Sequence, residues 1–392
     1  MNPIPRLKAD GGTAILSYGF RPFFFFGACY AALAILAWLP LYFGEISNPS
    51  SFTPRDWHAH EMLYGYLPAV ITGFLLTAIP NWTGRLPLQG SPLLVLVLVW
   101  MAGRVAVNTS AFIGSVPSAT IDCAFLLLIM AAAGREIIAG QNWRNLKVLI
   151  PVAILALGNI GFYVEAHILG IADYSIRIGI AAVLTLIMLI GGRIVPSFTR
   201  NWLVRENPGR LPIPFTSFDI LSIAASVVSL AIWIAMPDGL VTAGALFVGG
   251  LLQLIRLARW AGERTIGERL VLVLHVAYAF IPIGFVLAGL GAVGVILPSA
   301  GLHAWMVGGV GLMTLAVMTR ATLGHTGHEL VAAAGTQAIY AAVLISVLAR
   351  VTVAFFPAWT LELLPLATAA WVAAFGGFAF LYGPLLFRPR RR

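Results

Sequence analysis

Long apolar runs, each bounded by Pro, Gly or charge, recur from one end of the chain to the other. They lie near 23–43, 61–79, 91–112, 116–134, 148–168 and 174–192, then near 215–236, 239–255, 270–290, 302–319, 331–349 and 364–387. An uncharged run of roughly 18 residues or more is long enough to cross a bilayer as a helix. The pattern therefore predicts an all-α fold: a polytopic membrane helix bundle of twelve transmembrane helices, with residues 1–392 forming one integral membrane domain. Composition closes the soluble alternative. Only 10% of residues are charged and 60% are hydrophobic, against about 25% charged in soluble domains. A transmembrane barrel would need short alternating segments instead. The first run follows Arg21-Pro22 and is too long for a cleaved signal peptide. Cys29 and Cys123 form neither a CxxC pair nor a CxxCH site.

Basic residues orient the bundle. With the N-terminus inside, the inner side carries Arg6, Lys8, Arg21, Arg85, Arg135, Arg144, Lys147, Arg193, Arg200, Arg205, Arg210, Arg256, Arg259, Arg264, Arg269, Arg320 and the four C-terminal arginines. The outer side keeps only Arg55, Arg177 and Arg350, and Arg104 lies within the third run. Both termini are expected on the cytoplasmic side. The net charge of +9 is explained by this asymmetry, so no nucleic-acid partner is needed to account for it.

The inner ends of runs 2 and 6 read IPNWT (79–83) and VPSFT (195–199), and run 10 ends on MTRAT (318–322). AAGRE (132–136) and WAGER (260–264) also rhyme. These strings are compatible with three four-helix pseudo-repeats near 20–140, 141–265 and 266–392, or with chance similarity of interfacial residues.

Ionisable side chains at membrane depth are expensive and mark candidate functional positions. His58 and His60 lie in WHAHEM (57–62) at the outer mouth of run 2, and His303 opens run 10 on the same side. His275 lies inside run 9 near the inner face, and His325 and His328 follow the inner end of run 10. His167 at the outer end of run 5 reads as an ordinary interfacial residue. On a continuous helix His303 and His325 are about 33 Å apart, so one ion cannot use both. An outer candidate metal group of His58, His60 and His303 thus separates from an inner group of His275 and His325, to which His328 is a possible addition. If WHAHEM is helical, His58 (with Glu61) and His60 (with Tyr64) face different neighbours; if it is a turn, both reach one ion. Imidazole suits haem iron, copper and zinc alike. Arg104 needs an anionic partner, for which Asp122 and a haem propionate are the two candidates.

The strings GFRPFF (19–24), WHAHEM, GFLLTAIPNWTGR (73–85), GGRIVPSFTRN (191–201), LHVAYAFIP (274–282) and VMTRATLGHTG (317–327) resemble the NnrS family, in family order across all twelve runs. The resemblance implies a bacterial inner-membrane protein that contains haem and copper and is linked to nitric oxide metabolism and nitrosative stress. By it, His58, His60, Glu61, Arg85, Arg104, Arg193, His275, His303, Arg320 and His325 match family motif positions. His328 departs from the family's GHTGR pattern. Haem-copper oxidases and nitric oxide reductases also use twelve helices, but their span-10 pair of histidines eight residues apart is missing here.

The expected function is a haem/copper redox protein, nitric oxide reductase-like, that binds nitric oxide and reduces or detoxifies it. Its partners would be nitric oxide, an electron donor such as a quinol or a cytochrome, and membrane lipid. Glu61 is the candidate catalytic residue, relaying protons from the outer mouth; its bland alternative is a helix N-terminal charge favoured by the macrodipole. His58, His60, His303, His275, His325 and Arg104 are the candidate cofactor-binding residues. A twelve-span transporter, with a long loop near 193–214, and a haem-based nitric oxide sensor or sink without turnover are the competing readings.

Overall fold

The computed structural model describes residues 12–391; Arg6, Lys8 and Arg392 of the inner basic set lie outside them. Twelve helices in this range are long and apolar enough to cross a membrane, which makes the chain a multi-pass membrane protein. They are α1 (Phe20–Phe43), α2 (Pro54–Thr83), α3 (Ser91–Asn108), α4 (Ser115–Ala139), α5 (Trp143–Leu169) and α6 (Asp173–Glu206). They continue as α7 (Ser217–Ala235), α8 (Leu240–Ala258), α9 (Arg269–Ala292), α10 (Ser299–Thr326), α11 (Ala334–Phe355) and α12 (Pro357–Phe387). The described residues form helices and no strand, and each helix carries one of the twelve expected runs.

Two boundaries differ from the sequence expectation. Helix α6 runs on to Glu206, so most of the loop expected from residue 193 is helical. Hydropathy drops at Arg193, Arg200 and Arg205, yet backbone hydrogen bonding does not require an apolar side chain and Arg is a good helix former. Helix α2 starts ahead of its apolar run. The Thr53 side chain accepts from the Asp56 backbone N–H at 3.2 Å, Pro54 takes the first position and Asp56 sits in the first turn. A capping oxygen, a proline without an N–H to lose and an acid against the helix dipole all favour a helix start there. WHAHEM is therefore helical.

Helices α2 and α10 each widen into π-helix, over Glu61–Tyr66 and Ala304–Gly311. In α2 the Leu67 N–H reaches back to the Met62 carbonyl. Each π segment begins on the residue after a histidine, His60 in one case and His303 in the other. Such turns are rare and recur at functional sites.

The chain divides into two compact units. One holds the residues up to Gly179 with Ala321–His328 and the segment from Phe378; the other holds Ile180–Arg320 and Glu329–Gly377. In the first, Phe23, Leu76, Leu96, Trp100, Phe125 and Ile129 form a buried apolar cluster between α1, α2, α3 and α4. Arg21 is buried there and donates to the Leu386 and Arg388 carbonyls, 2.7 Å each, at the end of α12. A cation placed against free C-terminal carbonyls is a favourable helix termination. Leucines, valines and phenylalanines such as Leu98, Val105, Leu157 and Phe380 remain exposed on the helices, as lipid-facing residues do.

Candidate functional site

The first unit contains a closed polar cluster inside an apolar surround. Glu61, at the start of the α2 π segment, is fully buried. Its two oxygens each lie 2.7 Å from Arg104 Nη1 of α3. Arg104 Nη2 donates to Asp122 of α4, and the Tyr30 hydroxyl of α1 donates to Glu61 Oε2. Gly65 makes the pairing possible, because a Cβ there would run into the Arg104 guanidinium and come within 3.1 Å of Glu61 Oε2. Trp100 braces the same place by donating to the Gly65 carbonyl at 2.9 Å. Of the two partners expected for Arg104, Asp122 is in contact; Glu61 is a second that was not foreseen.

His60 joins this cluster through both ring nitrogens. Nδ1 lies 2.8 Å from Glu61 Oε1, and Nε2 lies 2.9 Å from Asn159 Oδ1 of α5. Asn159 Nδ2 donates in turn to Asp122 Oδ2 at 2.9 Å, and the Tyr163 hydroxyl reaches the same oxygen at 3.3 Å. Phe52, Phe162, Tyr163 and Tyr64 surround the imidazole with ring centroids 5.0–5.4 Å away. One guanidinium between two carboxylates, with nearly every remaining polar atom bonded, is the arrangement that lets charge stay inside a low-dielectric interior.

His58 points elsewhere, its ring 4.5 Å from that of Trp38. The two histidines of WHAHEM thus face different neighbours, as a helix requires. Glu61 hydrogen-bonds His60, its neighbour in sequence, instead of His58.

The inner histidines and His303 have different surroundings. In the second unit, His275 Nε2 lies 2.7 Å from Thr199 Oγ1, and that hydroxyl donates to the Val195 carbonyl at 2.9 Å. With its single hydrogen committed, the hydroxyl accepts from an Nε2–H, which leaves the lone pair of His275 on Nδ1. Nδ1 is buried with no hydrogen-bond partner and faces Gly262, where a Cβ would fill the space. His303 donates from Nδ1 to the Ser299 carbonyl at 2.7 Å, so its lone pair is on Nε2. In the first unit the His325 ring packs against Tyr18 at 5.6 Å and Phe20 at 5.4 Å. His328 hydrogen-bonds Thr326 Oγ1 at 2.8 Å just past the end of α10. Its imidazole lies below its ordinary pKa, first through partial burial and then through the nearby positive charge of Arg391. Arg85 pairs with Glu136 at 2.5 Å. Arg320 lies over the Phe198 ring at 4.4 Å, and Arg193 is exposed.

Ligand fit separates these histidines. A metal-binding imidazole donates one N–H to the protein and turns the other nitrogen's lone pair to the ion. His275 meets that condition. His60 does not, since both of its nitrogens are engaged. Among the described residues no three His, Cys, Asp or Glu side chains are arranged to hold one ion.

The sequence reading missed Asn159 and Tyr30. A lone amide in the apolar run LGNIGF was the available signal for Asn159; an interfacial tyrosine gives none. It also missed a second buried ion pair. Arg256, read as an inner surface charge, is fully buried and donates to Asp219 at 3.0 Å, to the Met188 carbonyl at 3.0 Å and to the Tyr278 hydroxyl at 2.9 Å. Tyr278 continues to Gln253 at 2.7 Å.

No curated relative and no solved structure matches the chain. Comparison with protein families matches residues 14–390 to the family described as NnrS protein. With that match spanning nearly all of its 392 residues, and with the family's histidine, arginine and glycine strings carried on twelve membrane helices, the chain belongs to the NnrS family.

Proposed function

We propose that the protein is a haem- and copper-binding redox protein of the bacterial inner membrane that binds and reduces nitric oxide. Family membership supports the link to nitric oxide. The observation that carries the metal reading is the hydrogen-bond state of His275, with Nε2 bonded to Thr199 Oγ1 and a buried Nδ1 that carries the lone pair and has no hydrogen-bond partner. His275 would hold metal, and His303, His58 and His325 are the further candidate imidazoles. When bound, haem iron and copper supply a binding position for nitric oxide and a store of electrons. Both termini are assigned to the cytoplasm by the basic asymmetry.

Joining two nitric oxide molecules into nitrous oxide and water consumes two electrons and two protons. The electrons come from a donor of quinol or cytochrome type. Glu61 is the residue we assign to proton delivery. Tyr30, only half-buried, donates to Glu61 Oε2 and is the hydroxyl through which a proton reaches that carboxyl. Arg104 holds both carboxyl oxygens in place, so the group need not reorganise between turnovers.

Nitric oxide uptake by the reduced, metal-loaded protein at an electrode tests this. Glu61→Gln is expected to keep metal and nitric oxide binding while slowing consumption about 10²–10⁴-fold, the usual loss for a positioned acid. Wild-type consumption in that variant removes Glu61 from the mechanism. Loaded wild-type protein that binds nitric oxide without consuming it with any donor is a sensor or sink.

A further inference from the structure

We infer that His60 is not a metal ligand: Asn159 commits its Nε2 to hydrogen donation, and the imidazole serves to position the carboxyl of Glu61. Histidines on a motif such as WHAHEM invite assignment as a pair of ligands, and the structure separates their roles.

The hydrogen-bond chain decides the tautomer. Asn159 Nδ2 is the donor to Asp122 Oδ2 at 2.9 Å, which turns Asn159 Oδ1, an acceptor only, toward His60 Nε2 at 2.9 Å. Two acceptors cannot face each other, so Nε2 carries a hydrogen. Flipping the amide would aim its oxygen at the Asp122 carboxylate and its NH₂ at His60. That arrangement sets an amide oxygen against the buried carboxylate and loses its 2.9 Å donor. The other nitrogen is occupied by Glu61 Oε1 at 2.8 Å. The ring is fully buried and enclosed by Phe52, Phe162, Tyr163 and Tyr64. A metal on either nitrogen would break a bond to a buried polar partner.

His60 has a positioning task in exchange. Glu61 Oε1 is hydrogen-bonded to His60 Nδ1 and accepts from Arg104, and Oε2 accepts from Tyr30 and Arg104. Partners on α1 and α3, with His60 beside it on α2, fix the carboxyl at the first turn of the π segment. Asn159 on α5 fixes His60. Asn159 is thus a positioning residue acting through His60, although it touches neither Glu61 nor any proposed metal.

The inference rests on the haem and copper reading only where metal content is measured. Wild-type protein labelled with ¹⁵N-histidine, metal-free and metal-loaded, is compared by NMR, with the His60 signals assigned by their loss in His60→Asn. The expected His60 Nε2 resonance is of the hydrogen-bearing, pyrrole type and does not move on loading. Asn159→Leu, which removes the nearer of the two acceptors at Nε2, keeps the ring and leaves Asp122 Oδ2 at 3.3 Å, is expected to shift it. Copper and haem per folded protein in His60→Asn are expected to match wild type, whereas His303→Ala loses one of the two. A pyridine-type Nε2, a His60 signal that moves or broadens selectively on loading, or a monodisperse His60→Asn protein that loses metal as His303→Ala does, each overturns the assignment. If His60→Asn does not fold, assignment through Asn159→Leu lets the NMR arm decide alone. If wild-type protein holds neither haem nor copper, the proposed function fails while the tautomer of His60 is still read directly.

Discussion

Replacing Arg104 by methionine should be among the most damaging single changes in the first unit. The guanidinium is the one cation shared by Glu61 and Asp122, which are 0% and 2% exposed. Methionine keeps much of the side chain's apolar volume, so the effect is that of charge and not of a cavity. Removing one partner of a buried ion pair costs about 3–5 kcal/mol, because the remaining charge stays buried without compensation. Here two carboxylates lose their cation, which puts the expected loss toward the upper end. At about 1.4 kcal/mol per factor of ten, the folded-to-unfolded ratio falls roughly 10²- to 10⁴-fold. Glu61→Gln should cost less, since Arg104 keeps Asp122 and the amide oxygen still accepts from Arg104. The triple change Arg104→Met, Glu61→Gln, Asp122→Asn removes all three charges together and should recover most of the loss. Denaturation by SDS in mixed micelles, followed through the intrinsic tryptophan fluorescence, measures all three. Unfolding of Arg104→Met at the wild-type detergent fraction, with no recovery in the triple variant, would refute the shared-cation account.

Gly192→Ala should destabilise the second unit, since the new Cβ would meet the Arg256 guanidinium. That overpacking costs about 1–3 kcal/mol, more than the helix-propensity gain of ~1 kcal/mol. Gly244→Ala, with open space at its Cβ, should be neutral or stabilising in the same detergent titration. Gly262→Ala should close the space at His275 Nδ1 and remove the metal signal tied to His275 without unfolding the protein. An unchanged signal would take His275 out of the ligand set. Reporter fusions after Ser50 and Gln141 should report outside and inside respectively; the opposite pattern would invert the depth assigned to every histidine.

Much of this architecture is legible in the chain because membrane spanning imposes a length and a hydropathy that a one-dimensional pattern can display. The need of Arg104 for an anion was equally legible, since a guanidinium inside a span has few alternatives, and Asp122 lay on the neighbouring run. What was hidden depends on three-dimensional register. The π segments at Glu61–Tyr66 and Ala304–Gly311 leave no compositional mark, and the first of them opens on Glu61. The four helices that meet around His60 and Glu61 are distant in sequence, so Asn159 could be flagged only as a polar residue in an apolar run. Arg256 misled because a basic residue two positions from the end of a span looks like a headgroup contact. The cap formed by Thr216 and Asp219 at the start of α7 instead brings an acid to it in the interior.

The central claim is that this membrane protein carries haem and copper, and one measurement addresses it most directly. The protein is purified in detergent from cells supplied with both, and its optical spectrum is recorded alongside metal analysis. The account predicts a Soret band that shifts when nitric oxide is added to the reduced protein, together with copper in a fixed ratio to the chain. A protein of the same fold and stability with no Soret band and no copper would contradict it and return the twelve helices to the transporter reading.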